Sequence, residues 1–274
     1  MVILSAVVAL LLVVVLVGGY VLVGNNYASS RISAAELALS AAHHFDFDAS
    51  LREITGGFAA TSVSFDPFGF QRSVRSFTDG IKTNDTEIAT DVGALQSAQG
   101  RLGDMSWLTA LNHSSLTSES NRIDHAVKAL GAARRITDDF NRDGQFFQSY
   151  SAGWVDYANY VNAAGSSSAT VAISSLEQMK TDIAKALTLA SSPGLPASVR
   201  EYVTDLQKVV ADSLAVINAS LAGDQTAFDA AQAQLKTDAA TINAFDSSSI
   251  DSAIQSYYQP TISTYKQELQ LASS

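Results

Sequence analysis

The sequence predicts an all-α protein in which an N-terminal transmembrane helix is followed by an elongated antiparallel multi-helix bundle. Three observations carry this reading. Val2 to Gly24 is an apolar run without a charge. Beyond it the apolar residues recur every three or four positions, the helical period, and no run alternates as a half-buried strand does. Only four prolines interrupt 274 residues, so long helices can run unbroken.

Composition removes several function classes. There is no cysteine, which excludes a disulfide framework, a thiolate metal site and a cysteine nucleophile. The formal net charge of -10 sets up a field that repels phosphate backbones, so nucleic acid is not an expected partner. The small charged fraction, with abundant Ala, Ser and Thr, suits close helix packing.

The expected organisation is an anchor at residues 1–24, a juxtamembrane helix and connecting loop at 25–69, and a helical-bundle domain at 70–274. As a helix the first run spans roughly 34 Å, enough for a hydrocarbon core of about 30 Å, which makes a lipid bilayer the expected partner of residues 2–24. The rival is a cleaved secretory signal ending near Ala28-Ser29-Ser30, although no basic residue precedes the run. Arg31 alone is too little to orient the span by positive charge. The polar body and the sequons at Asn84, Asn112 and Asn218 favour an extracytoplasmic body. From Ile32 to Ile54 the pattern reads as helix, and from Gly56 to Phe70 as loop.

In the bundle, Val74, Ile81, Ile88, Leu95 and Leu102 repeat every seven residues, with Phe77, Val92 and Ala98 widening the stripe into a seam for a partner helix. Gly80, Gly93 and Gly100 weaken that helix and are expected either to admit a close neighbour or to mark breaks. A second helix carries Ile123, Val127, Leu130, Ile136, Phe140, Phe147, Tyr150, Trp154, Tyr157 and Val161, stopping at Gly165 with a candidate N-cap at Ser168. The next shows Leu176, Met179, Ile183, Leu187 and Ala190, and ends at Ser191 to Gly194. Pro196 suits the first turn of a helix with Val199, Val203, Leu206, Val210, Leu214, Ile217 and Leu221 on one face. Gly223 then Asp224 reads as a stop and an N-cap almost without a loop, so the following helix, with Phe228, Ala231, Leu235, Ala239 and Ile242, should pack antiparallel. The last shows Ile250, Ile254, Tyr258, Ile262, Tyr265 and Leu269, with Pro260 as an expected kink.

Two constellations could carry chemistry. In DFNRDGQFFQSY, residues 139–150, Asp139, Asn141, Asp143 and Gly144 match the first half of a calcium loop, and over these few residues the motif resembles part of an EF-hand. Position twelve is Tyr150 and not the bidentate acid such a loop needs, while Ile136, Phe140, Phe147, Tyr150 and Trp154 keep helical spacing straight through it. The continuous helix is therefore expected, with Asp139, Asn141 and Asp143 as the calcium candidates and no other metal site. The aromatics Phe140, Phe147, Tyr150, Trp154 and Tyr157 cover more than one helix face, so they are either core or the wall of a ligand cleft or partner groove. His43-His44-Phe45-Asp46-Phe47-Asp48 lacks the three- or four-residue spacing that converges two metal ligands on a helix and reads as a solvated helix end.

No nucleophile elbow, phosphate-binding glycine loop or HExxH pattern occurs, and no Glu-x-x-His pair of the di-metal bundles. No catalytic residue and no cofactor is expected. The function the sequence favours is a membrane-anchored extracytoplasmic bundle acting by protein–protein interaction, through a partner or self-association along its seams, as an accessory, scaffold or surface structural protein of the cell envelope. The alternative is an extracytoplasmic ligand-sensing or solute-binding helical module that signals through a separate partner.

Overall fold

The computed structural model describes residues 2–55, 65–165, 168–246 and 248–274, with the side chains of all of these except 2–16, 53–55 and 248. Among the described residues there are eight α-helices, one short 3-10 helix and no strand. The α-helices are α1 (Val2–Ala41), α2 (Phe47–Thr55), α3 (Pro67–Gly103), α4 (His113–Gly165), α5 (Ala169–Leu189), α6 (Ala197–Ala222), α7 (Gln225–Asn243) and α8 (Ser248–Ser273), with the 3-10 turn at Ala110–Asn112. The chain divides into two compact units. Unit 1 comprises Met1–Phe45, Thr86–Arg134 and Thr261–Ser274, and unit 2 comprises Asp46–Asp85 and Arg135–Pro260.

In unit 1, α1 is packed along one face. Gly24, Ala28 and Ala35 are buried, at helical spacing, and Tyr20 and Arg31 sit on the same stripe. A Cβ at Gly24 would collide with the Leu108 carbonyl, so this position brings α1 backbone to backbone with the segment after α3. The Tyr20 hydroxyl donates to the Trp107 carbonyl, and Arg31 lies over the Tyr27 ring and 3.8 Å from Asp104. These contacts bear on the expectation of a membrane-spanning anchor over residues 2–24, which is corrected: among the described residues no helix is long and apolar enough to cross a membrane. The single-pass assignment falls with it, and so does the extracytoplasmic placing of the body that depended on it. The helix does not stop at Gly24 but continues through Asn25, Asn26, Arg31 and Glu36 to Ala41, and small residues that read as lipid-facing hydrophobicity serve helix packing. The side chains of residues 2–16 lie outside the described residues.

The helix expected from Ile32 to Ile54 is broken at residues 42–46. His43 explains the break: its backbone N–H donates to Asp91 Oδ2 at 2.8 Å and its ring Nδ1 lies 3.0 Å from the same oxygen, which anchors the end of α1 to α3. Elsewhere in unit 1, α4 and α8 run antiparallel. His125 Nδ1 lies 2.7 Å from Glu268, and Arg122 Nε donates to the Ala272 carbonyl at 3.0 Å.

Unit 2 opens on Asp46, whose carboxylate accepts from the Ala49 N–H at 3.0 Å and caps α2. Asp66 does the same for α3, accepting from Phe68 N–H at 3.1 Å, with Pro67 in the first helical position where its missing N–H costs nothing. The loop expected at 56–70 thus ends earlier, and residues 56–64 lie outside the described residues. Pairing along the following helices is antiparallel. Phe77 faces Phe140 and Phe70 faces Phe147, Gly153 meets Ile183, and Lys208 on α6 acts electrostatically on Asp238 of α7. Ser168 does stand at the N-cap of α5, but its side chain makes no capping bond. Pro196 is the N-cap of α6 and not its first-turn residue.

Gly223 and Asp224 do what the sequence suggests. Gly223 has φ +68, its N–H donates to Ser220 O and the Asp224 N–H to Ala219 O, a Schellman closure; Asp224 then accepts from Ala227 N–H at 3.0 Å to cap α7. The α3 heptad positions are all buried, Ile88 and Leu95 completely. Gly80, Gly93 and Gly100 neither break α3 nor admit a neighbour: a Cβ at any of them would meet nothing. Pro260 is accommodated inside α8, which continues to Ser273.

Candidate functional site

The stretch 139–150 is α-helix throughout, within α4, so the turn that an EF-hand loop needs is absent. The three calcium candidates do not converge. Asp139 and Asp143 stand one turn apart on one face, whereas Asn141 is exposed. Among the described residues no group of three or more metal-ligating side chains comes together.

What Asp143 does instead is structural chemistry. It is fully buried, next to Gly144, whose missing side chain leaves room for Thr78 of α3. Tyr258 of α8 brings its hydroxyl to 2.7 Å from Asp143 Oδ2 and to 3.1 Å from the Pro193 carbonyl oxygen. Burial pushes the Asp143 carboxyl up to about 8, with Asp139 adding to the shift and Tyr258 opposing it. A phenol has one proton to give, and a carbonyl can only accept. Both contacts are satisfied together when protonated Asp143 donates to Tyr258 and Tyr258 donates to Pro193. One turn away, Tyr257 reaches Asp139 at 3.5 Å, and burial raises the Asp139 carboxyl.

The aromatic candidates separate into two groups. Phe140, Phe147 and Tyr150 are buried in edge-to-face contacts: Phe140 with Tyr258 at 4.7 Å, Phe70 with Phe147 at 6.5 Å, and Tyr150 with Trp154 at 6.2 Å. They are core, and their geometry is that favoured by the ring quadrupole. Trp154 is half-buried against Phe65, and Tyr157 is 41% exposed. The cluster therefore runs from the interior to the surface along α4.

At its outer end a second feature appears that the sequence did not single out. A groove of about 300 Å³ is lined by Tyr160 and Ala164 of α4, Ala172 of α5, Ile217 and Leu221 of α6, and Phe228 of α7. Leu221 is 61% exposed, and Val161 and Val171, beside lining residues on their own helices, are about half exposed. Periodicity places Leu221 on the buried face of α6. That face is covered as far as Leu214 and then opens, because the tight turn at Gly223 sends the chain back before anything covers its last turn.

Carboxyls also meet across two helix pairs. Asp156 of α4 is raised to about 7 by burial and by sharing a proton with Asp182 of α5. Asp212 of α6 is raised by burial and by Asp238 of α7, while Asp238 is lowered, chiefly by its bond from Gln234. Of the histidines, His43 is raised, chiefly by its hydrogen bond to Asp91; His44 is exposed. A signal for the Asp143 contact was present: position 143 falls among Ile136, Phe140, Phe147 and Tyr150 on the buried face, where an acid requires a partner. Comparison with protein families, with curated proteins and with solved structures returns no match.

Proposed function

We propose that this protein works by binding another protein, with the groove at the ends of α4, α5, α6 and α7 in unit 2 as its docking surface. The observation that carries the reading is Leu221, a large apolar side chain left 61% exposed at the end of an otherwise buried stripe, beside a groove walled by Tyr160, Ile217 and Phe228. Scattered exposed apolar residues need no explanation, but an apolar concavity rimmed by several of them suits an amphipathic helix or an apolar loop of a partner. The reading is of an interaction protein and not an enzyme. Its most buried acid, Asp143, is engaged by Tyr258 within the fold, and Phe140, Phe147 and Tyr150 are taken up by the core.

A photoreactive phenylalanine analogue placed at Leu221 or Val161 tests this in the cells that make the protein. The expected result is a discrete heterologous adduct from either position, lost on Leu221→Asp in the Val161-labelled protein, and absent when the label is moved to exposed Thr237 of α7. Adducts of twice the chain mass would make the occupant a second copy. Equal labelling from Thr237 and Leu221, or no adduct from the groove, would overturn the proposal.

A further inference from the structure

We propose that unit 1 holds a separate binding site for an amphiphilic anion, a carboxylate carrying an apolar chain. The site is a cavity of about 700 Å³ between the last turns of α1, the start of α4 and the end of α8, within the size range of small-molecule sites. Leu39 and Leu269 supply apolar lining, and Arg122, Lys266 and His44 bring nitrogen donors to the same cavity, against one acid, Glu36.

Charge distribution makes this combination unusual for the chain. Net charge is -10 overall, yet unit 1 has six Lys and Arg against seven Asp and Glu, while unit 2 has eleven against twenty. Two of unit 1's six cations line this one cavity. A site with an excess of basic over acidic lining, in a protein that otherwise repels anions, selects its ligand by the head group.

Arg122 is already set in place. Its Nε–H donates to the Ala272 carbonyl at 3.0 Å and its Nη1 to Glu119 at 3.0 Å, and Glu119 is buried. The guanidinium plane is therefore fixed before any ligand arrives. Its Nη2 has no hydrogen-bond partner among the described residues, so a carboxylate can add to it without breaking either existing bond. Lys266, exposed on α8, supplies a second charge on a flexible stem. A fixed guanidinium and a flexible ammonium beside leucine side chains suit a carboxylate head with a hydrocarbon tail.

The test is calorimetric titration of the whole protein with decanoate and, separately, with decanol, which has the same chain and no charge. Decanoate is expected to bind once per chain and at least about tenfold more tightly than decanol, the size of effect a charge-assisted hydrogen bond gives. Lys266→Gln and Arg122→Gln are each expected to weaken decanoate about tenfold, with decanol unaffected. Since Arg122→Gln also leaves Glu119 without its partner, the outcome rests on Lys266→Gln if the other variant fails to fold. Equal binding of decanoate and decanol, or native affinity in Lys266→Gln, would overturn the proposal. So would loss of decanoate binding on Leu221→Asp, because the ligand would then lie in the groove of unit 2.

Discussion

Glycine shows how differently one residue type can act in this chain. Gly194 and Gly223 both have positive φ, +87 and +68, in the region an L side chain enters only at a cost of roughly 1–2 kcal/mol. Around Gly223 a Cβ would find open space, whereas at Gly194 it would lie 2.7 Å from the Tyr258 ring and hydroxyl. That ring cannot retreat without giving up Asp143 and Pro193. Gly223→Ala should therefore cost about 1 kcal/mol and Gly194→Ala clearly more, about 3 kcal/mol, as compared by urea denaturation of the two variants. The difference is half legible in the sequence. Gly223 before Asp224 is a local signal of stop and cap, and it reads correctly. Ser-Ser-Pro-Gly at 191–194 announces a turn, but Tyr258 presses on it from a helix far along the chain, and no local pattern encodes that.

Helices are the most legible level, because the 3.6-residue period reports directly which face is buried. The heptad positions of α3, the whole of α4 and the capped turn between α6 and α7 stand as the spacing predicts. Spacing fails where a contact from another element decides the outcome. His43 bonding to Asp91 ends α1 inside a pattern that reads as continuous helix, and composition cannot tell the packing of Gly24, Ala28 and Ala35 against protein from burial in lipid. Leu221 departs from its pattern for a related reason: periodicity gives the direction a side chain points, not whether anything covers it.

The glycines of α3 yield a prediction at this level. Gly80, Gly93 and Gly100 are helical and a Cβ on each would meet open space, so alanine at each would remove backbone freedom from the unfolded chain without a clash. Each of Gly80→Ala, Gly93→Ala and Gly100→Ala should stabilise by about 0.5–1 kcal/mol. The sites are at least a heptad apart, so the triple variant should show nearly the sum, read as the shift in thermal midpoint.

Across the whole molecule, several titrating groups bias stability in one direction. The folded state holds Asp143 at about 8 and Asp156 at about 7, against roughly 3.9 for an unfolded Asp. Each contribution is complete below about pH 4 and is lost as pH rises towards the folded value, by at most about 1.4 kcal/mol per pH unit for each proton. His43 is also raised, so its contribution is full below about 6.5 and declines as pH passes through its higher folded value. All three therefore favour mild acid. Urea midpoints should fall steadily from pH 5 to pH 9. In Asp143→Asn, which keeps a neutral donor beside Tyr258, the fall should be shallower and stability at pH 9 should exceed that of the native chain; an unchanged slope would show that Asp143 is ionised in the fold. The acidic composition is plain from the sequence. Which acids are forced together across helices, and which one is sealed beneath a tyrosine, is set by tertiary packing alone.

The sparse packing of α7 bears on how the groove works. One side chain of α7, Ile242, is fully buried, against seven in α6, and the two helices are joined by a turn that stands on its own backbone bonds. Lifting α7 away exposes little apolar surface, so it is the segment of this hairpin that local fluctuations open at the lowest free energy. Phe228, one wall of the groove, rides on that segment. The groove thus has three walls held by the core and one that yields, which lets it accept side chains of different bulk while its floor stays fixed.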